Sequence, residues 1–182
     1  MKKGKPGQRM RWHAVIQRCS DARKGVEVGV FEGTLSAKLL DGIPNLYLVM
    51  VDRWSEYTQE QKDAIEKSRM SFRPQVYFDA AYDKAKAVHD SNPGRCEILR
   101  ADSLTAAQHC GKEEFDFAFI DADHSYEGCK ADIESWLPKV KKGGWMFFHD
   151  YGSKNHPGVK KAVDEMFDKV EVDADHVGAV QI

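Results

Sequence analysis

The sequence predicts an α/β protein built on a parallel sheet with helices on both faces. Three observations lead there. Short apolar runs alternate with stretches of helical periodicity along most of the chain. Runs such as LYLVMV (46–51) and FDFAFI (115–120) are apolar nearly throughout, as strands covered on both faces are. Polar residues collect where the runs stop: Gly29 to Gly33, Asp52, Asp102, Asp121 to His124, and His149-Asp150. Open parallel sheets bind ligands beyond the carboxyl ends of their strands, where the strand order reverses. Any one acid there is explained by solvation, but five clusters each following an apolar run are not.

The elements come in order. Residues 1–23 read as a basic, Gly/Pro-containing arm and a short helix near 13–19. Residues 26–30 form a strand and 33–40 a helix, with Leu35, Leu39 and Leu40 on one face. The strand 46–51 ends at Asp52. A charged helical insert spans 55–76 and is broken by Pro74. A helix over 78–89 stops at Asn92-Pro93-Gly94. A strand over 96–99 ends near Asp102, which can cap the next helix. The strand 115–120 ends at Asp121. In the helix 125–137, Tyr126, Cys129, Ile133 and Trp136 share a face. A turn at 142–144 precedes a strand over 145–148 and a helix over 159–167, with Pro157 at its start. Residues 170–172 and 178–182 are two last short strands.

With 182 residues, 42% of them hydrophobic and 31% charged, the chain has the size and composition of one globular domain, not of a disordered segment. A net charge of −2 supplies no global field toward nucleic acid or membrane. Apolar runs fall short of a membrane span, and no signal peptide is evident at the N-terminus. The four cysteines are scattered, which excludes a zinc ribbon or disulfide scaffold and suits free thiols in a reducing, cytoplasmic compartment.

The first loop has the spacing E-x-G-x-x-x-G: Glu27, Gly29, Gly33. A dinucleotide fingerprint needs G-x-G-x-x-G, and here Phe31-Glu32 puts a ring and a negative charge where a diphosphate would sit. The loop favours a ligand without phosphate that carries positive charge. A carboxylate at Asp52 can accept hydrogen bonds from a ribose diol, and Asp102-Ser103 can meet a base ring.

The stretches VEVGVFEGT (26–34), VMVDRW (49–54), RADS (100–103), FDFAFIDADHSYEG (115–128) and KKGGWMFFHDYG (141–152) resemble the class I S-adenosylmethionine-dependent methyltransferases. The resemblance covers about residues 24–182. It is strongest to the small-molecule O-methyltransferase branch, which includes macrocin, mycinamicin and rhamnosyl enzymes and cephalosporin-hydroxylase-like proteins. It implies a Rossmann-like three-layer αβα sandwich, with a seven-stranded sheet whose last strand is antiparallel. It also implies roles. Glu27, Gly29 and Gly33 line the methionine end of the cofactor; Asp52 holds the ribose, with Arg53 or Trp54 beside the adenine; Asp102 and Ser103 sit at the adenine edge.

Asp121 and Asp150 end two different apolar strands, so on neighbouring strands their carboxylates converge on one ion. Oxygen donors suit Mg²⁺, while a nitrogen from His149 leans toward Mn²⁺. In the resembling families, acids at these two positions hold a divalent metal that binds the substrate's hydroxyls, and a lysine or histidine base stands at the spacing of His124. The expected reaction is methyl transfer to a hydroxyl of a small molecule or sugar, with Asp121 and His124 as the catalytic pair. Two alternatives remain: a metal-dependent protein of this fold without methyl transfer, and a nicotinamide-binding oxidoreductase. The short region before the first strand leaves an acceptor pocket that a second subunit can complete. No motif of a nucleic-acid methyltransferase is present.

Overall fold

The computed structural model of the protein describes residues 11–59, 62 and 72–182. Among these, one sheet contains β1 (Lys24–Val28), β2 (Tyr47–Asp52), β3 (Cys96–Arg100), β4 (Phe115–Ile120), β5 (Val140–Phe148), β6 (Glu171–Asp173) and β7 (Val177–Gln181). Its order is β3-β2-β1-β4-β5-β7-β6. The first five strands pair in parallel. β7 pairs antiparallel with β5, and β6 antiparallel with β7. The fold expected from the sequence, with its antiparallel last strand, is the one that forms.

Among the described residues, six α-helices flank the sheet: α1 (Arg11–Arg18), α2 (Thr34–Gly42), α3 (Gln75–Asp90), α4 (Ser103–Gln108), α5 (Tyr126–Trp136) and α6 (Pro157–Met166). Strand side chains alternate between two cores, as the period-two pleat requires. Leu48, Met50, Phe117, Phe119 and Phe147 face α1, α2 and α3. Val26, Val28, Val49, Val51, Ala118, Ile120, Met146 and Phe148 face α4, α5 and α6. Both faces are dry, which is why the strand runs contain so few polar residues.

Some boundaries differ from the sequence reading. β1 ends at Val28 because Gly29 turns away with φ +94°. α3 begins at Gln75, directly after Pro74, which fits proline's extended φ at a helix entry. The expected turn at 142–144 is instead an irregularity within a long β5. Gly143 there donates to the Ile182 carbonyl at 2.6 Å and Ile182 donates back to Gly144 at 2.9 Å, so pairing with the C-terminal strand carries β5 through the glycines. The helical insert expected over 55–76 lies largely outside the described residues, as do residues 1–10 of the arm. No helix among the described residues is long and apolar enough to cross a membrane.

Candidate active site

Beyond the carboxyl ends of β3, β2, β1 and β4 lies a crevice of about 450 Å³. The chain leaves β1 toward β2 on one side and returns to β4 on the other, so the crevice sits where the strand order reverses. Each of the four strands delivers polar residues to it: Gly29 after β1, Asp52 and Arg53 from β2, Asp102 and Ser103 after β3, and Asp121, Asp123 and His124 after β4.

Gly29 is required by its surroundings. Its φ is +94°, and a Cβ there would sit 2.1 Å from the Asp121 carbonyl oxygen. The loop after it is held by one carboxylate. Asp52 accepts the Phe31 N–H through Oδ2 and the Trp54 N–H through Oδ1, each at 2.9 Å. The Trp54 indole N–H closes the ring by donating to the Phe31 carbonyl at 2.7 Å. Phe31 (φ +52°) and Trp54 (φ +42°) both occupy the left-handed region that bulky side chains avoid. Such strain persists only where surrounding bonds over-determine it, and these three bonds do.

That lock corrects one expectation. The sequence sets Trp54 beside an adenine, but the residue is fully buried, packs edge-on to Tyr82 at 5.1 Å and does not line the crevice. Tyr57 and Phe78 line it instead, with the Arg53 guanidinium 4.3 Å over the Tyr57 ring. Gly33 (φ +74°) precedes α2 and lies against Ala85 of α3, and is not among the lining residues. Glu27 is also withdrawn. It is buried and accepts from Ser36 Oγ at 2.5 Å. Burial pushes its carboxyl up to about 8, against the opposing effects of the Ser36 bond and the Arg11 charge. Burial also raises Asp52, opposed by its backbone bonds. Asp102 caps α4, its two oxygens accepting the Thr105 N–H at 2.9 Å and the Thr105 hydroxyl at 2.7 Å.

At the β4–β5 side of the crevice the acids and histidines converge. Ile120 pairs with Phe148, so Asp121 and His149-Asp150 emerge side by side. Asp121, His124, His149 and Asp150 offer ligand atoms that all lie within 4.8 Å of one another. His124 Nε2 is 3.2 Å from Asp121 Oδ1 and 3.1 Å from Asp150 Oδ2. His149 Nδ1 is 3.0 Å and 3.2 Å from the same two oxygens. Burial opposes every charge in this cluster, but mutual hydrogen bonding overrides it: both histidines are raised and both acids lowered. Ser125 caps α5 by accepting the Gly128 N–H at 3.1 Å, which fixes the helix entry beside His124.

Two members of this neighbourhood escaped the sequence reading. Arg11, at the start of α1, donates to Asp121 Oδ2 at 2.8 Å from 110 positions away. His156 packs against His124 with ring centroids 4.5 Å apart and the rings tilted by 38°, and lies 3.9 Å from Asp150. No local signal announces either, since a basic arm residue and a histidine before a helix proline are common surface features.

The family profile described as "Methyltransferase domain" matches residues 26–151. An uncharacterized protein of Sinorhizobium fredii, y4gI, is 26% identical over 80 residues, 44% of this chain. The match spans only 9% of that protein's length. Among solved structures, the O-methyltransferase NovP superposes with TM-score 0.65 at 20% identity, covering 94% of this chain and 78% of that one. The calicheamicin methyltransferase CalS11 gives 0.65 at 17%, covering 93% and 76%. The Burkholderia thailandensis 1,6-didemethyltoxoflavin-N1-methyltransferase, solved with its substrate and S-adenosylhomocysteine, gives 0.64 at 9%, covering 98% and 79%. At these identities the likeness is one of fold.

Proposed function

Because this chain belongs to the methyltransferase-domain family, and is an S-adenosylmethionine-dependent methyltransferase of class I fold, we propose that it methylates a hydroxyl of a small molecule with the help of a divalent metal. One observation carries this reading: Asp121, His124, His149 and Asp150 converge, and Asp121 and His124 of that group line the crevice. Two carboxylates and two imidazoles within one coordination radius fit a divalent ion. Their nitrogen donors favour Mn²⁺ or a similar transition metal over Mg²⁺. Asp121, Asp150 and His149 are the residues that would hold it. Such an ion, when bound, lowers the pKa of a coordinated hydroxyl.

The chain's own residues do the remaining work. Gly29 lets backbone approach the methionine end of the cofactor, and Asp52 receives the ribose hydroxyls. Tyr57 and Phe78 wall the crevice with apolar surface. With Asp121 and Asp150 engaged by the ion, the carboxylates that raise His124 would be withdrawn from it, and its neutral imidazole would accept the proton of the acceptor hydroxyl. Holding the oxyanion in line with the sulfonium then supplies most of the acceleration. In this reading residues 1–182 act as one catalytic unit in the cytoplasm, on a hydroxylated metabolite and not on nucleic acid, with a second subunit available to complete the acceptor pocket.

The test is calorimetric titration with S-adenosylmethionine and S-adenosylhomocysteine, with and without Mn²⁺ or Mg²⁺, and with NAD as control. Micromolar binding of the sulfur ligands, no NAD binding, and methyl transfer to a member of a hydroxylated panel are the expected results. His124→Ala is expected to lose at least about a hundredfold in turnover, with cofactor affinity unchanged; full activity would remove His124 as the base. A second reading, metal chemistry without methyl transfer, draws on the two-histidine donor set. It predicts metal binding with no affinity for either sulfur ligand.

A further inference from the structure

The carboxylate of Asp121 is divided between two partners. Its Oδ1 faces the cluster, 3.0 Å from His149 Nδ1 and 3.2 Å from His124 Nε2. Those two nitrogens also meet Asp150 Oδ2, at 3.2 Å and 3.1 Å. The four atoms close a ring of contacts. Asp121 Oδ2 is not part of that ring. It accepts from Arg11 Nη1 at 2.8 Å, and among the described residues Asp121 is the one hydrogen-bond partner of the Arg11 side chain.

α1 delivers this guanidinium on its own account. Arg11, Val15 and Arg18 stand at i, i+4 and i+7, on one face of the helix. Val15 is fully buried. Arg18 donates to Glu171 at 2.8 Å, and its guanidinium lies 5.1 Å over the Trp145 ring. The helix is therefore docked whether or not Arg11 finds Asp121. The paired side chains are only 19% and 15% exposed, away from the screening that makes surface ion pairs weak. An arginine does not lose its proton in proteins, so Oδ2 carries a fixed positive neighbour.

We propose that Arg11 is a positioning residue for the metal, holding Asp121 as a ligand through one oxygen only. The inference rests on the reading of the cluster as a divalent-metal site. A carboxylate can bind such an ion through one oxygen or chelate it through both. Here a charge-assisted bond occupies Oδ2, which leaves Oδ1 to the ion with His149 and Asp150. The coordination position that a chelating Asp121 would fill stays open to water or to the acceptor's oxygen. Loss of an outer partner ordinarily weakens a metal site. In this site the partner is itself a cation, and removing it also frees a ligand oxygen, so the affinity is expected to rise.

The experiment compares the full chain with Arg11→Met, which keeps an apolar stem and removes the charge and every donor. Each is titrated with Mn²⁺ alone, free ion being read by its paramagnetic resonance signal. Pulsed resonance in D₂O then counts the waters on the bound ion. Arg11→Met is expected to hold one coordinated water fewer than the wild type and to bind Mn²⁺ about tenfold more tightly. Arg11→Lys, which restores a charged donor, is expected to return both readouts toward the wild type. Arg11→Ala, a strong helix former, repeats the test if the methionine chain does not fold. An unchanged water count in a folded variant overturns the inference and leaves the metal reading standing. Weaker binding with an unchanged count overturns it too, and reduces Arg11 to a tether for α1. A wild-type chain that binds no Mn²⁺ overturns the metal reading, and this inference with it.

Discussion

At the scale of single residues, Gly29 and Glu27 make the firmest predictions. A side chain at position 29 meets both an unfavourable φ and the Asp121 carbonyl. Gly29→Ala is therefore expected to destabilise the fold by about 2 kcal/mol or more and to abolish cofactor binding, as read by scanning calorimetry and ligand titration. Glu27 sets a pH dependence. Its carboxyl stands at about 8 in the folded chain against an ordinary 4.5. Between those values the folded chain binds more protons than the unfolded one, so stability falls as pH rises through that window and levels off above it. The slope from one such group is at most about 1.4 kcal/mol per pH unit. Urea midpoints at pH 5 and pH 8 are expected to draw closer in Glu27→Gln than in the wild type. Asp121, His124, His149 and Asp150 were legible in the sequence because each lies just beyond an apolar strand. Arg11 and His156 were not, because neither follows an apolar strand and only the fold brings them to Asp121 and His124.

At the scale of elements, the strand-to-helix loops do the positioning, and their bonds are more specific than their sequences suggest. The Phe31–Asp52–Trp54 ring ties the loop after β1 to the loop after β2. Removing the indole N–H leaves the Phe31 carbonyl unpaired. Trp54→Phe is expected to cost about 1–3 kcal/mol in chemical denaturation and to weaken cofactor affinity, since Phe31 and Asp52 both line the crevice. Strand cores were readable to within two residues, apart from β5. Its glycines read as a turn because their pairing partner, the C-terminal strand, lies some 40 positions downstream. Trp54 misleads for a related reason. Sequence shows that an aromatic residue comes soon after Asp52, but not the positive φ that swings it into the core.

At the scale of the molecule, the two-sided burial of the sheet made the architecture legible, since dry faces leave strands almost no choice of residue. What crosses between distant elements was not legible. The Arg11–Asp121 pair joins the first helix to the end of β4, and no periodicity encodes a contact of that reach. The strand order has one more consequence, for synthesis. β1 lies in the middle of the sheet, and its Gly25 pairs with Leu48 on one side and Phe117 on the other. A nascent chain leaving the ribosome can pair β1 with β2, and β2 with β3, as soon as each emerges. The other edge of β1 then stays open until β4 has been made, offering a bare strand flanked by apolar side chains to any neighbouring chain. The half-made protein is thus more prone to aggregate than the finished one, and its yield in a cell depends on how quickly translation carries β4 into place.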